Sequence, residues 1–456
     1  MKNTNLNAIS PLDGRYAERL GELAPYTSES ALIKTRIEVE IKYLIALSEA
    51  KVIRDLTPEE KKILEDLTTN MKEEDVLQVK EIEGETRHDV KAVERFLREK
   101  LASTSLKDLL EFIHFGLTSE DVNNLAYRLM LSRGVSQVIL QHLNKVLKDL
   151  SDKSAEYKSL PMLARTHGQA AVPTTLGKEI VNFVVRLRKQ MDKLKAFKLT
   201  GKITGAVGNY NAHNVAFPKT DWVEFSKNFV ESLGLTPNIY TTQINPADDV
   251  VEILQIIQRI NMILTDLAQD FWRYISDDWF TQELKSGEVG SSTMPQKVNP
   301  IDFENAEGNL FMANTLIEGF TRKLPISRLQ RDLSDSTVTR NLGVILGHSL
   351  LAYKSLITGL SRVHANEAVI KAVLNNNWAI LAEAAQTVLR REGVADAYNL
   401  VKDLSRGQKI GQSEWREWVS KLPVSDEVKK ELESLTPEKY TGLAADLTEK
   451  ALKAIK

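Results

Sequence analysis

The chain of 456 residues contains no cysteine. That excludes disulfides, thiolate nucleophiles and Cys-ligated zinc, and it suits a reducing cytoplasm. Net charge is only -2, so the strong basic excess of a dedicated nucleic-acid binder is missing. No run of about 18 apolar residues occurs, which argues against a membrane span. The start, Met1 to Ser10, has no continuous apolar stretch and does not read as a secretory signal. Dinucleotide, P-loop and zinc-protease motifs are also missing. Gly201, Gly205 and Gly208 do not form G-x-G-x-x-G, and neither G-x-x-x-x-G-K-[ST] nor H-E-x-x-H occurs. The seven histidines are scattered without metal-ligand spacing.

Proline is sparse in a way that matters. Residues 59–160, 174–217, 247–294 and 326–422 are long intervals rich in Leu, Ala, Glu, Lys and Arg, with few proline breaks. An all-α fold follows. Ile253, Ile257, Ile260, Leu264, Leu267, Phe271 and Tyr274 recur at spacings of four and three, as in a coiled-coil seam. Ile139, Leu143, Val146 and Leu150 repeat the pattern, as do Ile180, Phe183, Leu187, Met191 and Leu194. Such helices predict a bundle. Leu254, Ile256 and Ile263 lie off the seam and form a second apolar face that suits burial against other subunits; a single monomeric bundle is the plainer alternative. Three helical domains are expected, at 1–110, 111–364 and 365–456, the central one carrying the long helices and a loop at 285–300.

Five segments carry chemistry. The first is Gly287-Glu288-Val289-Gly290-Ser291-Ser292-Thr293-Met294-Pro295-Gln296-Lys297-Val298-Asn299-Pro300. Glycine hinges, hydroxyls, Lys297 and Asn299 fit a lid that binds an anion, and a flexible connector is the bland alternative. The second, Ala164-Arg165-Thr166-His167-Gly168-Gln169, places a histidine at a polar junction before a long helix. A lone histidine is more often structural, but this position favours proton transfer. In the third, His114 to Asp121, Thr118 and Asp121 fit a capping box, while Thr118 and Ser119 at a helix start also suit a carboxylate or phosphate. The fourth, Thr86 to Lys91, reads equally well as a solvated helix face. The fifth, from Ser327 to Arg340, holds Arg328, Arg331 and Arg340 near Ser336 and can clamp phosphate, with Arg15 and Tyr16 as possible partners.

Gly290-Ser291-Ser292-Thr293-Met294-Pro295-Gln296-Lys297-Val298-Asn299-Pro300 resembles the G-S-S-x-M-P-x-K-x-N-P signature of the fumarase/aspartase superfamily. Thr166 to Gln169 and Gly116 to Asp121 resemble its other two active-site regions and occur in the expected order. Within the superfamily the chain is most similar to the adenylosuccinate lyase family, in its longer bacterial form. Ser10 to Tyr16, His88 to Glu94, Gly205 to His213 and Arg331 to Thr337 carry that likeness over nearly the whole chain. Gln296 stands where many bacterial relatives carry histidine and where argininosuccinate lyases often carry glutamine; Arg87 stands where a small polar residue is usual.

The resemblance implies β-elimination of fumarate from adenylosuccinate, giving AMP, and from SAICAR, giving AICAR, without a cofactor. It implies Ser291 as general base and His167 as general acid, with His88 the other histidine in contention. Glu304 resembles the carboxylate that orients the acid. Lys297 and Asn299 would bind the succinyl carboxylate and stabilise the carbanion, with Thr118 and Ser119 beside it. His88, Arg15, Tyr16, Arg331, Ser336 and Arg340 would hold the phosphate and nearby groups. His114, Gln169 and Gln243 are expected substrate ligands, and Asp89, Ser292 and Met294 join the substrate-contacting set from within the matched motifs. The family pattern further implies a homotetramer in which each site draws residues from three subunits. The competing readings are another lyase of the superfamily, such as argininosuccinate lyase, and a non-catalytic structural homologue.

Overall fold

A computed structural model describes residues 6–283, 294, 297–405 and 410–455, without the side chains of 403–405. The fold is all-α, and among the described residues the only sheets are three two-stranded ones. The chain divides into two compact units, each assembled from three separate segments.

The first unit comprises 1–142, 191–261 and 309–352. Its N-terminal part begins with the 21-residue helix Glu29–Glu49, started by Ser28, whose hydroxyl accepts the Ala31 N–H at 3.1 Å. Helix Pro58–Thr69 starts with a full capping box: Glu60 N–H bonds the Thr57 hydroxyl at 3.2 Å and Thr57 N–H bonds the Glu60 carboxylate at 3.0 Å. Helix Asp89–Leu101 is capped by an unusual residue, His88, whose Nδ1 accepts the Lys91 N–H at 3.2 Å. Helix Ser119–Gly134 packs on Glu29–Glu49 through Ala31, Leu32, Ala126 and Met130.

The second unit comprises 143–190, 262–308 and 353–456. Its C-terminal part has a core of its own, in which Leu381, Ala385, Leu389, Trp415, Val419 and Leu432 are buried and the Trp415 indole N–H bonds the Leu432 carbonyl at 3.0 Å.

The long helices are Leu176–Ala196, Asp248–Ser276, Ile301–Lys323 and Leu342–Arg362. The anticipated seam is buried: Ile257, Ile260, Leu264, Leu267 and Phe271 are each 0% exposed. Tyr274 at its end is only half-buried. The off-seam residues turn out differently from expectation. Leu254, Ile256 and Ile263 are already buried within the one chain, so they need no other subunit to cover them. The apolar residues that stay exposed on these helices are Met262, Trp272, Phe311 and Met312. One stretch, Ser334–Arg362, is long and apolar enough to cross a membrane, but 72% of its apolar window is buried within the protein, as in a core helix.

Candidate active site

The expected helix junction around His167 is instead a β-hairpin. Strand Pro161–Thr166 pairs antiparallel with Gln169–Thr175, and Thr166 faces Gln169 across the turn. The two turn residues both take positive φ, 53° at His167 and 74° at Gly168. That is the backbone of a type I′ turn, whose twist matches the right-handed twist of the strands it joins. Pro161 and Pro173 explain why helix fails here, since both would disrupt one. Arg165 braces the tip, donating to the Gly168 carbonyl at 3.3 Å and lying 5.9 Å from the Trp279 ring centre. His167 and Gln169 are both exposed. The imidazole is thus presented outward by backbone geometry.

The same unit carries the end of the signature segment. Ser291 and Ser292 lie outside the described residues. Met294 is exposed, and its carbonyl accepts the Lys297 N–H at 3.0 Å. Lys297 is exposed and Asn299 half-buried just ahead of helix Ile301–Lys323. Glu304, in the first turns of that helix, is exposed and accepts the Trp272 indole N–H at 3.1 Å.

The first unit gathers most of the remaining candidates. Ser119, the first residue of helix Ser119–Gly134, lies 3.4 Å from His88 Nε2 through its hydroxyl. Asp89, next to His88, pairs with Arg36 at 2.6 Å and with Arg340 at 3.5 Å. Burial works against its charge, but Arg36 and then Arg340 outweigh it and hold the carboxyl below its ordinary pKa. Arg340 also donates to the Ser336 hydroxyl at 3.4 Å. Arg331 donates to the Gln243 side-chain oxygen at 3.2 Å and pairs with Glu120 at 3.3 Å, and Gln243 in turn donates to the Ala206 carbonyl at 3.0 Å. His88, Asp89, Ser119, Ser336 and Arg340 therefore form one connected patch. Arg331 and Gln243 join it through Glu120, the neighbour of Ser119.

Thr118 takes part through its backbone. Its N–H donates to Asp121 at 2.8 Å, the carboxylate half of the anticipated capping box. Asp121 Oδ1 also receives Lys202 Nζ at 2.9 Å and the Gly205 N–H at 3.2 Å, and both ionic side chains are 0% exposed. His114 is bound elsewhere, with Nδ1 2.6 Å from the buried Glu40 carboxylate. Burial acts to lower its pKa, but Glu40 more than offsets this and the net shift is upward. Arg15 is exposed and stacks 5.9 Å from the ring centre of its neighbour Tyr16. Asp13, two residues earlier, lines a hollow together with Arg340 and Gly343.

Arg36 and Glu120 are absent from the expected set. Arg36 had a visible signal, a lone cation within the apolar run Ala31 to Ile41, and it is 3% exposed. Glu120 sits inside a motif whose helix-capping role already accounts for its charge.

Comparison with known proteins decides between the lyases. A lyase family model matches residues 14–314, and an adenylosuccinate lyase C-terminal model matches 327–441. The chain is 48% identical over 451 residues to an adenylosuccinate lyase of Legionella pneumophila (strain Corby), covering 98% of this chain and 99% of the relative. The chain belongs to the adenylosuccinate lyase family. An adenylosuccinate lyase of Dictyostelium discoideum is also 48% identical, covering 97% of this chain and 98% of the relative, and that of Escherichia coli (strain K12) is 43% identical, covering 98% and 99%. Solved structures share the fold at low identity. A fumarate lyase from Mesorhizobium sp. BNC1 aligns with a TM-score of 0.77 at 17% identity, covering 96% of this chain and 97% of that one. A 3-carboxy-cis,cis-muconate lactonizing enzyme from Pseudomonas putida gives 0.76 at 20% identity, covering 95% and 97%. As a member of the family the chain is a C–N lyase with nucleotide substrates and fumarate as product.

Proposed function

We propose that this lyase acts in the cytoplasm as a homotetramer on adenylosuccinate and SAICAR, releasing fumarate to leave AMP and AICAR. Ser291 takes the proton from the carbon beside a succinyl carboxylate. The negative charge spreads into that carboxylate, where Lys297 and Asn299 stabilise it. The electron pair then forms the fumarate double bond as the C–N bond breaks, and His167 gives a proton to the departing nitrogen. A serine hydroxyl is a weak base in water, so closure of the 285–300 loop has to stabilise its anion. Acid and base are both side chains, and no step calls on a cofactor.

The observation that carries the nucleotide reading is the joined patch of His88, Asp89, Ser119, Ser336 and Arg340 with Arg331 beside it. Cations and hydroxyls in that arrangement suit a phosphate, which argininosuccinate lacks. Thr118 and Ser119 at the adjoining helix start suit a succinyl carboxylate. Arg15, Tyr16, His114, Gln169, Gln243, Ser292 and Met294 complete the set of substrate contacts. In one chain Glu304 engages Trp272, and His167 points outward on its turn. We infer that Glu304 orients His167 across a subunit boundary, in sites shared by three subunits. The exposed Met262, Trp272, Phe311 and Met312 support such an assembly. In sequence order the helical domains are 1–110, 111–364 and 365–456.

The test follows the loss of adenylosuccinate ultraviolet absorbance with wild-type and Ser291→Ala protein, with argininosuccinate as the control substrate. Turnover of adenylosuccinate that collapses in Ser291→Ala is expected, and activity should vanish when dilution dissociates the subunits. Cleavage of argininosuccinate alone would refute the nucleotide reading, and an active monomer would refute the shared site.

A further inference from the structure

Glu120 does not bind substrate in the reading above, yet it lies where the two ends of the proposed site meet. It is the second residue of helix Ser119–Gly134, directly after the Thr118–Ser119 turn. Its backbone is held by Asn124, whose side chain donates to the Glu120 carbonyl at 2.7 Å. Its carboxylate is 12% exposed, and Oε2 meets Arg331 Nη2 at 3.3 Å. Arg331 Nη1 meanwhile donates to Gln243 at 3.2 Å, so the two terminal nitrogens of the guanidinium are each tied to a different element. Arg331 Nε is buried without a partner, and so is Asp335 Oδ1 on the same cavity wall. A donor left open inside a pinned guanidinium is positioned for an incoming acceptor.

We propose that Glu120 is a positioning residue: its buried carboxylate holds Arg331 against Gln243 in a binding-ready rotamer and so ties the nucleotide end of the site to the Thr118–Ser119 turn. The proposal rests on the nucleotide reading of Arg331 given above. A free arginine side chain loses much of its rotamer freedom when it grips a ligand, and fixing it beforehand removes that loss from the binding step. An opposing effect exists. A carboxylate near a phosphate repels it, which would make Glu120 a hindrance rather than a help. Environment decides how large that repulsion is. Burial raises the Glu120 pKa most, Asp335 adds to the rise, Arg331, Lys202 and Arg128 oppose it, and the group ends at about 7. Arg36 also lines the cavity. A group that is partly neutral near neutral pH repels phosphate less than a full charge would, while it still offers an oxygen to Arg331.

The two effects predict different results for two variants. Glu120→Gln keeps the shape and an acceptor oxygen but removes the charge. Glu120→Ala removes both. AMP and fumarate binding to the whole enzyme would be measured by calorimetry, with kcat and KM for adenylosuccinate and the unfolding midpoint recorded alongside. If Glu120 positions Arg331, Glu120→Ala weakens AMP binding and raises KM on the order of ten-fold, while kcat and fumarate binding change less than about two-fold. Glu120→Gln recovers most of the loss, to within about three-fold of wild type, because the acceptor is restored. The wild type also loses AMP affinity relative to Glu120→Gln as pH falls from about 8 to 6, since only the natural carboxyl titrates there. Tighter AMP binding in both variants would show that repulsion dominates and would overturn the proposal. So would equal losses for AMP and fumarate, or an unchanged AMP affinity in folded Glu120→Ala. Failure of the wild type itself to bind AMP would instead overturn the nucleotide reading.

Discussion

The Lys202–Asp121 pair offers the sharpest test of how this site is built. Both side chains are fully buried, and the pair sits directly under the Thr118–Ser119 turn. Lys202→Met keeps an unbranched apolar stem and deletes the ammonium. Asp121 is then a buried carboxylate with two backbone N–H donors left, from Thr118 and Gly205. Removing one partner of a buried ion pair costs roughly 3 to 5 kcal/mol. The two remaining donors still solvate the anion, which places the loss near the lower limit, about 3 kcal/mol. Asp121→Asn strands the ammonium in the same way, apart from its bond to the Gly205 carbonyl at 3.2 Å. In the double variant neither charge remains, so its loss should fall short of the sum of the two singles by about 2 kcal/mol. Urea unfolding of the three variants at neutral pH measures this cycle. Hydrogen exchange at the Thr118 and Gly205 amides adds a local readout, since both should exchange faster in Lys202→Met. A Lys202→Met protein within about 0.5 kcal/mol of wild type, or singles that simply add, would refute the view that this pair anchors the turn.

Two further predictions concern backbone and protonation. A methyl group on Gly208, at φ 87°, would stand 2.0 Å from the Thr241 carbonyl oxygen, whereas one on Gly168, at φ 74°, meets nothing within 4 Å. Gly208→Ala should therefore cost about 3 kcal/mol or more and Gly168→Ala only about 1 to 2, and unfolding curves that reverse this order would disprove the steric argument. His114 has its pKa raised on balance by Glu40. The pair's contribution to stability is thus fully present below the unfolded histidine value of about 6.5 and is lost as pH rises through the folded value. The gap in unfolding midpoint between wild type and His114→Gln should narrow from about pH 6 to pH 9. A gap that stays constant would mean the pair does not titrate as a unit.

The long helices were legible because burial on a helix leaves a period in the sequence. Ile253 to Phe271 keeps a four-three spacing, and each of those positions is buried. Period alone does not say who covers a face. Leu254 and Ile256 look like an interface in the sequence, yet their own chain covers them. The residue types of the first-unit patch were also readable, because hydroxyls and arginines clustered in sequence carry a chemical signature. Arg36 and Glu120 were harder to see. Their importance comes from partners at distant positions, Asp89 for one and Arg331 for the other. The hairpin was missed for a different reason. Helical intervals flank it on both sides, and a lone His-Gly dipeptide is a weaker turn signal than Asn-Gly. Pro161 and Pro173 were the available hint.

The two-residue turn at His167 and Gly168 also sets a rule for altering this protein. In a hairpin, side chains alternate faces, and the loop length sets which residue crosses from one strand to the other. Lengthening the turn by a single residue would shift the register, rotate the imidazole to another face and leave every neighbouring side chain intact. Composition at the tip is therefore more negotiable than length. An engineer can exchange the residues flanking the histidine and keep its aim, but one inserted codon would disarm the enzyme without removing any of its chemical groups.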